Sequence, residues 1–292
     1  MTGARAAALL CAAVMPVPAA LAAQVTAGGA RAETFLAAAR SGTARYQDRA
    51  AAIQDGYRAL GPDAPGMGQH WINPSLVLAG RFDAARPQVL TYILVEGRPV
   101  LAGVAYALPT RGGEGAPEEP VGASAWHYHA RTVDEESFLA DHHHAGEGAG
   151  PDTRVAVLHA WAWVPNPAGA FEPDNWALPF ARLGATPPPG AGAAAGKALS
   201  LASVGRPFFL KVLRDLCGAD SASAALAAGV VAGRAGAIAS WVRERGDRPL
   251  TPADGAWLEG QWAGLWEDLR RALPDATWAQ LSPARGETSG GR

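Results

Sequence analysis

All seven histidines of this chain fall between positions 70 and 159: His70, His127, His129, His142, His143, His144 and His159. Histidine is the commonest protein ligand for transition metals and ordinarily titrates near neutral pH, so this interval is where chemistry is to be sought. His127-Tyr128-His129 has the i, i+2 spacing that puts two imidazoles on one face of a strand, within reach of a shared ion. His159 stands in the run Val155-Ala156-Val157-Leu158-His159-Ala160-Trp161-Ala162-Trp163, where a strand would give it a common face with Trp161 and Trp163. His70 precedes Trp71, and Glu135 follows His129 closely enough to add a carboxylate. Three imidazoles with a carboxylate or a water make an open site suited to zinc, copper, iron or manganese.

The expected site therefore has His70, His127, His129 and His159 as metal ligands, with zinc or copper as the leading ions. Trp71, Trp161 and Trp163 would form walls and Glu135 a further ligand contact. The plainer alternative is a set of hydrogen-bonded structural histidines beneath a tryptophan layer. Asp141-His142-His143-His144-Ala145-Gly146 lies between Gly-rich flanks and reads as a solvated loop that takes up metal weakly. No Gly-x-Ser-x-Gly elbow, phosphate-binding loop, His-Glu-x-x-His helix or haem-attachment motif occurs, and no nucleophile stands out.

Composition restricts the classes further. The formal charge is −2 and no basic cluster occurs, so the chain has no electrostatic footprint for nucleic acid. Residues 1–23 read as a secretory signal: Arg5, an apolar stretch from Ala6 to Val14, then Ala20-Leu21-Ala22-Ala23 as a cleavage site. Pro16 and Pro18 oppose a continuous helix there. The expected location is periplasmic or secreted, with no stable membrane span after signal removal. Residues 222–242 are small and apolar for about the length of a spanning helix. Arg234 at the centre favours a soluble helix, because charge at mid-bilayer is costly. Cys217 is the only cysteine outside the signal, so the mature chain has no internal disulfide and depends on a packed core. Ten tryptophans and 49% hydrophobic residues supply one.

Patterning supplies the elements. Tyr46, Ala50, Ile53, Tyr57 and Leu60 recur at helical spacing, predicting a helix over 32–60 stopped by Gly61-Pro62. Residues 88–96 and 100–108 are β-rich runs about the turn Glu96-Gly97-Arg98-Pro99, a hairpin apolar on both faces and hence central. Residues 109–121 read as an exposed loop, and 123–130 and 153–164 as further strands. A Pro/Gly/Ala linker is expected at 186–200 and a helical bundle over 201–282. In that bundle Phe208, Phe209, Val212, Leu213 and Leu216 form one stripe. Leu258, Trp262, Leu265, Trp266 and Leu269 form another, behind the capping box Thr251-Pro252-Ala253-Asp254. Residues 283–292 read as a disordered tail. The fold class is α+β: an N-terminal helix, a mostly antiparallel sheet or partly closed β-barrel within 24–185, and the C-terminal helical bundle.

Two resemblances follow from these residues. His127-x-His129 followed by an acid is similar to the first motif of the cupins, although Gly122 stands one residue closer and no second motif surrounds His159. The series Met67-Gly68-Gln69-His70-Trp71-Ile72-Asn73-Pro74, Arg86-Pro87-Gln88, Val104-Ala105-Tyr106 and His159-Ala160-Trp161-Ala162-Trp163-Val164-Pro165-Asn166-Pro167-Ala168-Gly169-Ala170-Phe171 resembles a group of bacterial exported proteins of uncharacterised function. The likeness spans about residues 45–183 and implies that His70 and His159 belong to the group's pattern. Two functions stand open: an exported protein binding a transition metal or small ligand, or a non-enzymatic periplasmic interaction protein with a structural His/Trp core.

Overall fold

A computed structural model describes residues 19–109, 117, 121–122, 125–129, 155–217 and 220–287. Its class is α+β, with helices at both ends of an open antiparallel sheet.

Helix α1 (Ala19–Thr43) crosses the expected signal cleavage point and buries Phe35, Leu36 and Ala39 on one face. The single helix expected over 32–60 is instead broken. After a 3-10 turn (Ala44–Gln47), the Asp48 side chain accepts a bond from the Ala50 amide and starts a separate short helix, α2 (Arg49–Gln54). Gly56, at φ 98°, ends it. Tyr57 then turns inward and donates its hydroxyl to the Pro87 carbonyl at 2.6 Å, which draws the chain into strand β1 (Arg58–Ala64). Ile53 and Leu60, expected on the buried face of that helix, are 43% and 46% exposed. Gly61-Pro62 lies within β1, where the pairing is irregular between Leu60 and Ala64; an edge strand tolerates the missing proline donor there.

Strand β2 (Gly68–Ile72) follows, then α3 (Pro74–Ala79), capped by the Asn73 side chain on the Ser75 and Leu76 amides. The expected hairpin is present as β3 (Val89–Val95) and β4 (Arg98–Pro109). Glu96 and Gly97 both have positive φ, the conformation of a tight two-residue turn. Strands β5 (His127–His129) and β6 (Val155–Ala160) complete the antiparallel order β1-β2-β3-β4-β6-β5, which puts β3 and β4 in the middle as expected. Most of 109–121, and residues 130–154 with Glu135 and His142–His144, lie outside the described residues.

The two faces of the sheet are packed differently. On one, Trp71, Leu90, Tyr92, Tyr106 and Leu158 meet Phe35, Leu36 and Ala39 of α1. On the other, small side chains dominate: Val89, Ala105, Ala107 and Val157 form one cluster, and Ile93, Ala102, Trp161 and Leu178 another.

The helical region begins earlier than expected. Helix α4 (Leu178–Ala181) is joined to the sheet by Arg182, which bonds Asp63 at 2.6 Å and the carbonyls of Ala64 and Pro65. Burial pushes the Asp63 carboxyl up and the Arg182 guanidinium down, each partly offset by the other's opposite charge. The expected linker 186–200 is corrected at its second half, where Ala193–Ser200 is helix α5 with six buried residues. Small side chains admit it to the core. A Cβ on Gly196 would stand 2.2 Å from the Trp176 carbonyl oxygen, so only glycine allows this contact.

Helices α6 (Gly205–Cys217), α7 (Ser221–Arg245), α8 (Pro252–Ala272) and α9 (Asp275–Glu287) complete the bundle. Helix α9 carries residues 283–287, which were expected in a disordered tail; 288–292 lie outside the described residues. The capping box forms as anticipated, and Leu258, Trp262, Leu265, Trp266 and Leu269 are all buried. Helix α7 is long and apolar enough to cross a membrane. Within the bundle it buries Ser223, Ala227, Val231, Ala235 and Ile238, and Arg234 bonds Asp268 and Gln261 on α8.

Candidate functional site

Three of the four expected imidazoles meet on the small-residue face of the sheet. His159 is the middle ring: its centroid lies 5.6 Å from that of His70 and 5.2 Å from that of His127. The Trp161 ring adjoins it at 5.8 Å. His127 and His159 are 1% and 2% exposed, and His70 is half-buried.

Strand register explains how residues so distant in the chain come together. His70 pairs with Thr91, Thr91 with Gly103, and Ala105 with His159, while His127 lies opposite Val157. The backbones of β2 and β6 are three strand spacings apart, roughly 14 Å at about 4.8 Å per strand. Imidazoles reach across that width only because Thr91, Gly103 and Ala105 leave the floor low. Over residues 103–108 of β4 the alternation is strict, with Gly103, Ala105 and Ala107 on this face and Val104, Tyr106 and Leu108 on the other.

Trp161 is locked in place. Its amide donates to the Ala170 carbonyl at 2.8 Å and its indole Nε1 to the Glu172 carbonyl at 2.6 Å. Both acceptors lie on the turn after β6, where Gly169 N–H bonds the Asn166 carbonyl and the Asn166 side-chain amide donates to Asp174. The indole lies against Gly103, where an added Cβ would be 2.9 Å from the ring. The Asn-Pro-x-Gly-x-Phe segment thus builds a turn that holds one wall of the histidine cluster.

Two expected walls are corrected. Trp71 neighbours His70 in β2 and so points to the opposite face, where its ring meets Tyr92 edge-on and Arg49 lies over it. Trp163 also belongs to that opposite core and donates to the Thr43 hydroxyl at 3.1 Å. Strand β6 ends at Ala160, so the strict alternation that would have carried Trp163 to the face of His159 stops before reaching it. His129 pairs through its backbone with Val155, and its side chain is outside the description. Glu135 is outside it entirely.

The ring spacing can be compared with that around a metal ion. With zinc about 2.0–2.1 Å from each nitrogen, a ring centroid lies ~3.2 Å from the ion, and two tetrahedral ligands have centroids ~5.2 Å apart. The observed 5.2 and 5.6 Å fall near this value. Among the described residues, however, no three His, Cys, Asp or Glu side chains form a converged ligand set.

The chain matches no family model, no curated protein and no solved structure.

Sequence reasoning missed Gly103, Ala105 and Thr91. Their signal is the small-large alternation over 103–108, which distinguishes two apolar faces by volume rather than polarity.

Proposed function

We propose that this chain is an exported protein that binds a transition-metal ion, zinc or copper, through His70, His127 and His159, beside the wall formed by Trp161. The observation that carries the reading is the meeting of imidazoles from β2, β5 and β6 on one sheet face, the His159 ring lying 5.6 Å from that of His70 and 5.2 Å from that of His127. Neutral imidazole is the form that ligates, and histidine accepts zinc or copper at either ring nitrogen. Loading requires the rings to turn about their side-chain torsions until their nitrogens share a centre. An open coordination position would then take water or a small molecule.

The decisive measurement is calorimetric titration of the full chain with zinc and copper, with elemental analysis of the protein as isolated from the periplasm or culture medium. Saturable binding that disappears in His70→Ala, His127→Ala and His159→Ala, each folded by circular dichroism, is the expected result. A parent that takes up neither ion removes the proposal. Because the ligands must shed protons, affinity should fall steadily as the medium is acidified.

A second reading has its own support. Since the donors do not converge as they stand and two of the rings are almost wholly buried, the cluster also suits a structural His/Trp core in a non-enzymatic periplasmic interaction protein. An exposed aromatic patch on α8 would have strengthened that reading. Trp262 and Trp266 are instead only 4% and 2% exposed, and Trp257 is stacked on Trp241 at 5.0 Å.

A further inference from the structure

A groove lies away from the histidines, between α6 and the first turns of α7. It encloses about 750 Å³, within the range of about 300–1,000 Å³ typical of small-molecule pockets. Its floor is apolar: Pro207 and Leu210 from α6, Ala224, Ala225 and Ala228 from α7. Its charged lining residues are Arg206 and Arg214, so the groove pairs an apolar floor with one sign of charge.

The placement of those arginines decides what would fit. Arg206, Leu210 and Arg214 follow at four-residue intervals along one flank of α6, putting the two arginine backbones roughly 12 Å apart along the axis. Leu210 lies midway, so two long guanidinium side chains can close on one group held above it. Neither arginine has an acidic partner among the described residues. The nearby acids along the chain are already engaged. Asp215 pairs with Lys211 at 3.0 Å. Asp220 caps α7, accepting from the Ala222 and Ser223 amides and the Ser223 hydroxyl. The positive charge at the groove is thus left for an external anion.

Beyond the groove, the exposed side of α7 continues without charge through Leu226, Gly229, Ala232, Gly233, Gly236 and Ala237. Gly229, Gly233 and Ala237 on that side also border Arg234, Asp268 and Arg271, so the uncharged path is flanked by ionic groups.

We propose that the α6–α7 groove binds a single-chain anionic amphiphile, its carboxylate gripped by Arg206 and Arg214 and its hydrocarbon tail lying over Leu210, Ala224, Ala225 and Ala228. Guanidinium suits such a head because its planar donors match a carboxylate in paired hydrogen bonds. The occupant is a free molecule rather than a bilayer. Arg234, near the middle of α7 and bonded to Asp268, argues against a bilayer along that helix, because charge at mid-bilayer is costly.

The test is calorimetric titration of the full chain with sodium decanoate below its micelle concentration, beside decanol as a neutral probe of equal chain length. Saturable decanoate binding is expected, with decanol about tenfold weaker because it forgoes the charge-assisted bonds. In R206Q/R214Q, decanoate affinity should fall to the decanol level while decanol binding is unchanged. The exposure of both arginines allows the double variant to fold, which circular dichroism checks. A second variant, Ala225→Phe, should weaken both probes by filling the floor. The proposal is overturned by an absence of saturable decanoate binding or by unchanged decanoate affinity in R206Q/R214Q. Binding confined to vesicles of phosphatidylcholine and phosphatidylglycerol would overturn it equally, by making the surface a membrane contact.

Discussion

The helical bundle and the sheet place their aromatic side chains to different ends. In the bundle, Phe209, Trp262 and Trp266 meet one another at ring distances of 5.5–6.0 Å inside a single core, and Trp278 joins at 6.5 Å. In the sheet, large rings occupy one face against α1, while the other holds, among the described side chains, small residues, three imidazoles and one indole. A helix stripe has one side to bury and buries it against other helices. A central strand has two sides, so its pattern can assign bulk to one and leave room on the other. The bundle gathers its aromatic rings into one core, whereas one face of the sheet carries little bulk.

Variants can break or sharpen that contrast. The largest effect is expected in the bundle: Trp266→Ala should destabilise the chain by about 4 kcal/mol, from lost burial and an uncollapsed cavity, read by urea unfolding. On the low face of the sheet the sensitive change is an addition. Gly103→Ala sets a methyl 2.9 Å from an indole held by the Glu172 carbonyl, and should lower stability by about 2 kcal/mol. A shift in tryptophan emission should accompany it. If Gly103→Ala is neutral, Trp161 is not fixed and the wall is not a wall.

Thr251→Ala should cost about 1 kcal/mol, because it removes a helix cap without touching either core. This effect carries a pH signature. The Thr251 hydroxyl and amide hydrogen-bond the Asp254 carboxylate and hold its pKa below the usual value, with Arg248 and Arg245 assisting weakly. The folded value being the lower one, the carboxylate stabilises the fold above the ordinary aspartate range and ceases to as pH falls through the depressed value. The gap between parent and Thr251→Ala should therefore narrow in strong acid, what remains being the bond from the Asp254 amide to the Thr251 hydroxyl. The smallest change in intrinsic stability is expected for His159→Leu, within about 1 kcal/mol in metal-free buffer, since an apolar side chain of similar size suits the site. The same variant should lose the whole stabilisation by zinc, about 2.7 kcal/mol for the parent at a hundredfold excess over Kd. Equal zinc responses in parent and variant would return His159 to a structural role.

Much of this was legible in one dimension. The hairpin about Glu96-Gly97 was readable because turn chemistry and β-rich runs coincide. The Thr251–Asp254 cap and the Leu258–Leu269 stripe were readable because helix signals are local. That His70, His127 and His159 would lie together could be anticipated from residue type and strand spacing. The errors arose where a local signal was ambiguous. Tyr57 and Leu60 fit a helical period, yet Asp48 starts a new helix and Gly56 ends it. The run Ala193-Ala194-Ala195-Gly196 resembles a linker by composition, but small residues also permit the closest packing. Trp71 and Trp163 were misplaced because facing depends on where a strand starts and stops.

The sequence by itself determined the α+β class, the central hairpin, the capped helix with its aromatic stripe, and the confinement of histidine to one interval. Each follows from interactions between residues a few positions apart. Only the tertiary structure decided that His70 and His127 both abut His159, because that depends on the strand order β2-β3-β4-β6-β5 and on the volumes of Thr91, Gly103 and Ala105 between them. Side chains far apart in the chain meet when the sheet between them is low enough to cross, and register across several strands is not encoded at any one of them.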